Sequence, residues 1–176
     1  MSEKQVLVTG ECGEIGQALV QELSANKGRD SALDLFSGVG LFSLPLARQF
    51  AKIVAVESSP AACRLCAANG SAAGFHSIHT VCTDAAAWMK SEGSSASNDF
   101  DLIVLDPPRS GAGTDLMEQI NQQAPATIIY VSCDPQTLSR DLACISSRNY
   151  RIDLVQGLDM FPQTFHIETV VRLVRN

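Results

Sequence analysis

Apolar residues along the chain gather into short runs, separated by stretches in which they recur at helical spacing. Seven runs read as strands: Ala32–Phe36, Ile53–Glu57, Ile78–Cys82, Leu102–Asp106, Thr127–Ser132, Tyr150–Gln156 and Thr169–Val174. They are rich in Val, Ile and Leu, and the early ones are nearly continuous, as in parallel strands covered on both faces. Helices are predicted between them over Leu41–Phe50, Pro60–Ala73, Ala85–Lys90, Asp115–Gln122 and Gln136–Ser146. Pro60 in a first turn and Gly74 just past an end are the punctuation such helices use. This alternation predicts a mostly parallel sheet with helices on its faces. The last two strands follow one another without a helix, so they should pair as an antiparallel hairpin.

Two stretches fall outside that rhythm. Glu92–Asp99 is rich in Ser, Gly and Asn and reads as a solvated surface connection. Residues 1–30 read as a lead-in to a single domain over 31–176. Within the lead-in, Thr9–Gly16 has the look of a strand, a glycine turn and a helix start, and resembles the nucleotide loop of short-chain dehydrogenases. Those enzymes also need a Tyr-x-x-x-Lys pair, and neither Tyr130 nor Tyr150 is followed by lysine at that spacing.

Composition narrows the class. At 176 residues the chain suits one domain with a core of its own. No apolar run approaches the ~20 residues that span a bilayer, and Met1–Gln5 lacks the basic-then-apolar layout of a secretory signal. A cytoplasmic protein without membrane contact is therefore expected. Of six cysteines, Cys63 and Cys66 form a C-x-x-C pair inside a predicted helix, with no second pair at metal spacing, so free thiols and no metal are expected. The formal charge of −6 argues against broad electrostatic binding of nucleic acid, which needs clustered Lys and Arg.

The chemistry lies where strands end, since open α/β sheets bind ligands at the carboxyl ends of their strands. Asp34-Leu35-Phe36-Ser37-Gly38-Val39-Gly40 leaves the first strand, and Gly38 and Gly40 would let the backbone pass close beneath a ligand. Glu57 ends the second strand, where a carboxylate can accept from ribose hydroxyls. Asp84 follows the third, within reach of an adenine amino group. Neither glycine loop carries the GxGxxG fingerprint or a Walker lysine. An acidic ring of this kind suits a cationic nucleoside without phosphate, namely S-adenosylmethionine. Asp106-Pro107-Pro108-Arg109 leaves the fourth strand, and Ser132-Cys133-Asp134-Pro135-Gln136-Thr137 leaves the fifth, with Cys133 a candidate nucleophile.

With these motifs in order, and with Asp159-Met160-Phe161-Pro162-Gln163-Thr164-Phe165-His166-Ile167-Glu168 after them, residues 30–176 resemble the catalytic domain of the RNA 5-methyluridine methyltransferase family. The resemblance implies a class I methyltransferase fold: a Rossmann-like three-layer α/β sandwich with a mostly parallel seven-stranded sheet and a C-terminal antiparallel hairpin. It implies methyl transfer from S-adenosylmethionine to C5 of a uridine in tRNA or rRNA. Cys133 matches the nucleophile, which adds to C6, and Glu168 the base that removes the C5 proton. Asp106 would orient the uracil and border the cofactor, and Arg109 would hold the loop or a phosphate. Asp34, Phe36, Gly38, Gly40, Glu57 and Asp84 would complete the cofactor site. An ordinary thiol titrates near ~8.5, so a lowered pKa or an assisted attack is expected at Cys133.

The family's separate RNA-binding domain has no counterpart in this sequence, so RNA binding is expected to need such a domain. Three other readings stay open at this point. One is a remnant that binds S-adenosylmethionine without acting on RNA. Another is an NAD-binding oxidoreductase built on Thr9–Gly16. A third is an amino-group methyltransferase, although those prefer an aromatic where Arg109 follows Asp-Pro-Pro.

Overall fold

The computed structural model describes residues 30–93, 99–145, 148–158 and 167–176. Seven strands form one sheet: β1 (Ser31–Leu35), β2 (Lys52–Glu57), β3 (Ile78–Cys82), β4 (Leu102–Leu105), β5 (Thr127–Ser132), β6 (Tyr150–Leu158) and β7 (Glu168–Arg175). Their order across the sheet is β3-β2-β1-β4-β5-β7-β6. β1 to β5 run parallel, while β7 enters antiparallel between β5 and β6. This is the class I methyltransferase arrangement, including the predicted hairpin.

Among the described residues five α-helices cross between the strands: α1 (Ser43–Leu46), α2 (Pro60–Ala72), α3 (Ala85–Trp88), α4 (Thr114–Gln123) and α5 (Pro135–Leu142). Three begin on side-chain caps that the sequence carries. Ser59 accepts from the Ala62 amide, Asp84 from Ala87, and Asp134 from both Gln136 and Thr137. Each satisfies amide groups that the first turn leaves without an intrahelical partner. α1 is shorter than the predicted Leu41–Phe50. Phe42 provides no side-chain cap, and beyond Leu46 the chain tightens into three-residue turns, with Arg48 donating to Pro45 O and Gln49 to Leu46 O. α3 runs into one wider turn over Met89–Gly93.

The pleat of β1 divides the core. Leu33 and Leu35 face one layer with Trp88, Met117, Tyr130 and Tyr150, and Ala32 faces the other with Phe42, Leu46, Phe50 and Ile129. β4 and β5 are buried along their whole lengths, as central strands covered by helices on both faces must be. Each fully buried Leu or Ile contributes roughly 1.5–3 kcal/mol, so the central strands anchor the edge that carries the site. Tyr150 ties the hairpin to that centre by donating its hydroxyl to Pro125 O at 2.7 Å. Among the described residues no helix is long and apolar enough to cross a membrane, and no group of three or more His, Cys, Asp or Glu could hold a metal ion.

Candidate active site at the carboxyl edge

The glycine loop after β1 is bent by three residues with left-handed backbone: Phe36 at φ 61°, Gly38 at 53° and Gly40 at 94°. For Phe36 this region costs on the order of 1 kcal/mol, held in place by packing of its ring on the core. At Gly40 the need for glycine is doubled, because a Cβ there would lie 3.0 Å from Cys66 Sγ. The loop is pinned from β2 and α2. Ser37 N–H donates to Val56 O at 3.1 Å, and Gly38 N–H to Glu57 Oε2 at 3.0 Å. Asn69 donates its side-chain amide to Val39 O at 3.0 Å.

Glu57 therefore has a structural task besides its predicted one. Oε2 clips the glycine loop, and Oε1 accepts from Ser59 N–H at 2.7 Å. Asp84 is exposed and caps α3 through Oδ1 at 2.9 Å from Ala87 N–H. Both stand on the edge where the sequence placed them, already oriented by backbone donors.

Asp34 is wholly buried beneath the loop. Ser43 donates its hydroxyl to Oδ2, whereas Oδ1 has no partner, and neither has the buried Ser37 Oγ. Burial is the main force on the Asp34 carboxyl; the negative charges of Asp106 and Glu57 add to it, the Ser43 bond opposes it, and the pKa is pushed from 3.8 to about 7. Unsatisfied acceptors enclosed by acidic neighbours favour a cation with N–H or O–H donors.

The turn after β5 explains its motif residue by residue. Ser132 donates its hydroxyl to Asp134 O at 2.9 Å and accepts from Asp134 N–H at 3.1 Å. Asp134 caps α5, Pro135 occupies its first turn, and Thr137 donates its hydroxyl to Asp134 O at 3.2 Å. The amides of Thr137 and Gln136 hold the Asp134 carboxyl below its usual range. Cys133 is half-buried at the apex of this locked turn.

Register brings the remaining groups to it. β5 and β7 pair antiparallel as far as Ser132 opposite Thr169, so Cys133 and Glu168 are the adjoining residues at that end of the ladder, and the Glu168 charge acts on Cys133. β4 and β5 pair in parallel with Leu105 beside Tyr130, so Asp106 emerges at the same edge. Their fields overlap. Burial and then the Glu168 charge raise the Asp106 carboxyl from 3.8 to about 6. Burial and then Glu168 also raise the Cys133 thiol, with Arg109 opposing. The expected lowering of the Cys133 pKa is thus absent: burial is the main reason, and the Glu168 and Asp106 carboxylates add to it. Arg109 is exposed at the rim, close enough for its charge to act on Cys133 and Asp134.

Sequence reading missed three supporting groups: Asn69, and the buried pair Tyr130 and Asp141. Only Tyr130 left a trace in the chain, a polar atom inside an apolar run. Cys82 ends the edge strand β3 and is exposed, whereas Cys63 and Cys66 are buried in α2; all three, with Cys133 and Cys144, are free thiols. Thr9–Gly16 and Asp159–His166 lie outside the described residues.

The model of the tRNA (uracil-5-)-methyltransferase family matches residues 18–176. An RNA methyltransferase of Thermotoga maritima, whose own function is uncharacterised, is 42% identical over 151 residues, which is 86% of this chain and 34% of the relative. The tRNA (uracil(54)-C(5))-methyltransferase of Pyrococcus horikoshii is 35% identical over 156 residues, 89% of this chain and 36% of that one. Among solved structures, the tRNA (uracil-54, C5)-methyltransferase of Pyrococcus abyssi, in complex with S-adenosyl-L-homocysteine, superposes with a TM-score of 0.75 at 32% identity. It covers 91% of this chain, which covers 38% of it. The chain spans about a third of the length of the curated relatives it matches.

Proposed function

The chain belongs to the tRNA (uracil-5-)-methyltransferase family, and on that premise we propose that its carboxyl-edge site methylates C5 of a uridine in RNA through a covalent adduct on Cys133. The observation that supports this reading is the end of the β5–β7 ladder, where Cys133 and Glu168 adjoin the Ser132–Thr169 pair and the Glu168 charge acts on both Cys133 and Asp106.

The residues present fit S-adenosylmethionine. Asp34 and Ser37 offer buried, unpartnered oxygens under a loop that Gly40 keeps open, and Glu57 and Asp84 extend the acidic edge. Bound there, the cofactor supplies an electrophilic methyl group on a sulfonium, which C5 of an ordinary uracil is too weak a nucleophile to take.

Cys133 remedies that weakness. Its thiol gives its proton to a neighbouring carboxylate, the sulfur bonds to C6, and the C5–C6 electron pair moves toward O4, making C5 nucleophilic. Once C5 carries the methyl, Glu168 removes the C5 proton. The C–H electrons restore the double bond, the C6–S bond breaks, and Cys133 is released. Asp106 meets the uracil edge, and at about pKa 6 it can offer either a proton or a lone pair there. Arg109 meets phosphate at the rim. A uridine held in a folded RNA must first swing out of its stack to reach this turn.

The test is trapping with a short RNA containing 5-fluorouridine, whose C5 substituent cannot leave as a proton. Wild type should give a covalent adduct on denaturing gels, mapped by mass spectrometry to Cys133. Cys133→Ala should give none. Glu168→Gln, with ordinary uridine RNA, should accumulate a methylated adduct. An adduct in Cys133→Ala, or normal turnover in Glu168→Gln, would remove these residues from the mechanism.

A further inference from the structure

The Asp106–Gly113 segment is irregular, and its backbone makes few bonds of its own: Asp106 N–H to Leu35 O at 3.4 Å and Gly111 N–H to Pro108 O at 2.8 Å. What holds it is a buried carboxylate outside every motif used above. Asp141, on α5, has no exposed surface. Its Oδ2 accepts from the Tyr130 hydroxyl at 2.6 Å, from Ala112 N–H at 2.7 Å and, more distantly, from Gly113 N–H at 3.4 Å. Its Oδ1 takes two guanidinium N–H groups of Arg140, at 2.9 and 2.7 Å. Arg140 also donates to Ser110 O at 2.8 Å.

We infer that Asp141, with Tyr130 and Arg140, is a positioning device that fixes the Asp106–Arg109 loop relative to Cys133. The inference rests on the functional reading above and deepens it. Tyr130 lies three residues before Cys133 on β5, and α5 begins two residues after it. The strand–turn–helix unit that presents the nucleophile therefore also grips the loop that presents the uracil-orienting carboxylate. The two move as one body.

The chemistry of the node is one-sided. All the groups around Asp141 act as donors, so only a full carboxylate satisfies them. Burial pushes its pKa up, but the bonds from Tyr130, Arg140 and Ala112 outweigh burial and hold it below the usual range. An amide in its place would turn an NH2 group toward donors. Gly111 shows how close the fit is. Its φ is +79°, and a Cβ there would lie 2.5 Å from both Arg140 Nη2 and Asp141 Oδ2. The loop settles onto the carboxylate only because that side chain is missing.

The experiment compares Asp141→Asn, Tyr130→Phe and Gly111→Ala with wild type in the 176-residue chain. It uses a short uridine RNA at high concentration, S-adenosylhomocysteine calorimetry, thermal melts, and hydrogen exchange over residues 106–113. Asp141→Asn should lower kcat at least tenfold while the affinity for S-adenosylhomocysteine changes less than twofold, and the Ala112 and Gly113 amides should exchange faster. Tyr130→Phe, which keeps the ring, should show a smaller effect of the same kind. Gly111→Ala should reproduce the kcat loss with all three network residues in place. Should Asp141→Asn fail to fold, the other two variants decide. Unchanged kcat in the folded variants, or a loss that only follows the unfolded fraction, would overturn the inference. If wild type leaves RNA unmethylated, the functional reading has failed. The exchange data then judge the anchor alone, and unchanged exchange at Ala112 and Gly113 overturns it.

Discussion

Replacing Asp34 with asparagine should make the ligand-free protein less stable in acid and more stable above neutrality, a crossing of two curves. A carboxyl that titrates near 3.8 in the unfolded chain and near 7 in the folded one binds its proton more tightly when folded. Stability then falls as pH rises from about 4 to 7, because the unfolded chain releases a proton that the fold retains, and it is level above that window. At about 1.4 kcal/mol for each pH unit, the loss by pH 8 amounts to about 4 kcal/mol. Asparagine has the same shape and can accept the Ser43 hydroxyl, but its amide nitrogen replaces the unpartnered Oδ1 and leaves a buried donor unmet, at about 1–3 kcal/mol. The variant should therefore be weaker than wild type by about 1–3 kcal/mol near pH 4, and stronger by a similar margin at pH 8. Urea unfolding followed by the fluorescence of the single tryptophan, Trp88, reads both ends. Parallel curves from pH 4 to 8 would refute the reasoning. A companion signal comes from the wild type. Binding a cationic cofactor should expel the Asp34 proton, about half a proton per site at pH 7, seen as a buffer-dependent heat in calorimetry. The asparagine variant should lose that dependence.

Other expectations concern single contacts. Glu57→Ala should weaken S-adenosylhomocysteine binding by roughly 1–3 kcal/mol, since it frees the glycine loop as well as removing an acceptor, while NAD should not compete in the same titration. Gly40→Ala should destabilise by about 1–3 kcal/mol through its positive φ and its collision with Cys66, and adding Cys66→Ala should recover only the collision part in a thermal melt. Tyr150→Phe should lose about 0.5–1.5 kcal/mol in urea unfolding, by stripping the bond to Pro125 O. RNA affinity of this acidic chain should be weak and fall steeply with salt; submicromolar binding at physiological ionic strength would contradict that.

The sheet was legible because its signal is local. Runs such as Leu102–Leu105 and Ile128–Val131 are short and continuously hydrophobic, as strands covered on both faces are. The turn residues were legible too, although Ser132, Asp134 and Thr137 were visible as motif letters rather than as the hydrogen bonds that lock Cys133. The association of Cys133 with Glu168 came from family resemblance, and the antiparallel β5–β7 register whose end brings them near one another exists only between strands. Asp141 was out of reach for a similar reason. Tyr130 and Ala112, two of its partners, lie 11 and 29 residues away, and an acidic residue in an amphipathic helix ordinarily faces solvent. The raised thiol pKa likewise depends on three-dimensional placement, on burial first and then on the Glu168 charge.

The insertion of β7 between β5 and β6 has a consequence for how the site comes into being. β7 is the last of the seven strands to be synthesised, yet it occupies an inner place in the sheet and makes both of its neighbours. During translation the sheet must therefore wait with the flank of β5 uncovered, its backbone groups open to wrong partners, until Glu168–Arg175 emerges. The proposed pair of Cys133 and Glu168 is complete only at that moment, because Glu168 opens the strand that closes the gap. A message broken between the codons for Thr137 and Glu168 would yield a protein with its glycine loop, its Asp-Pro-Pro-Arg loop and Cys133 in sequence, but without Glu168 and with an exposed sheet flank. Such a product should be caught by quality control as unfolded rather than persist as an inactive enzyme.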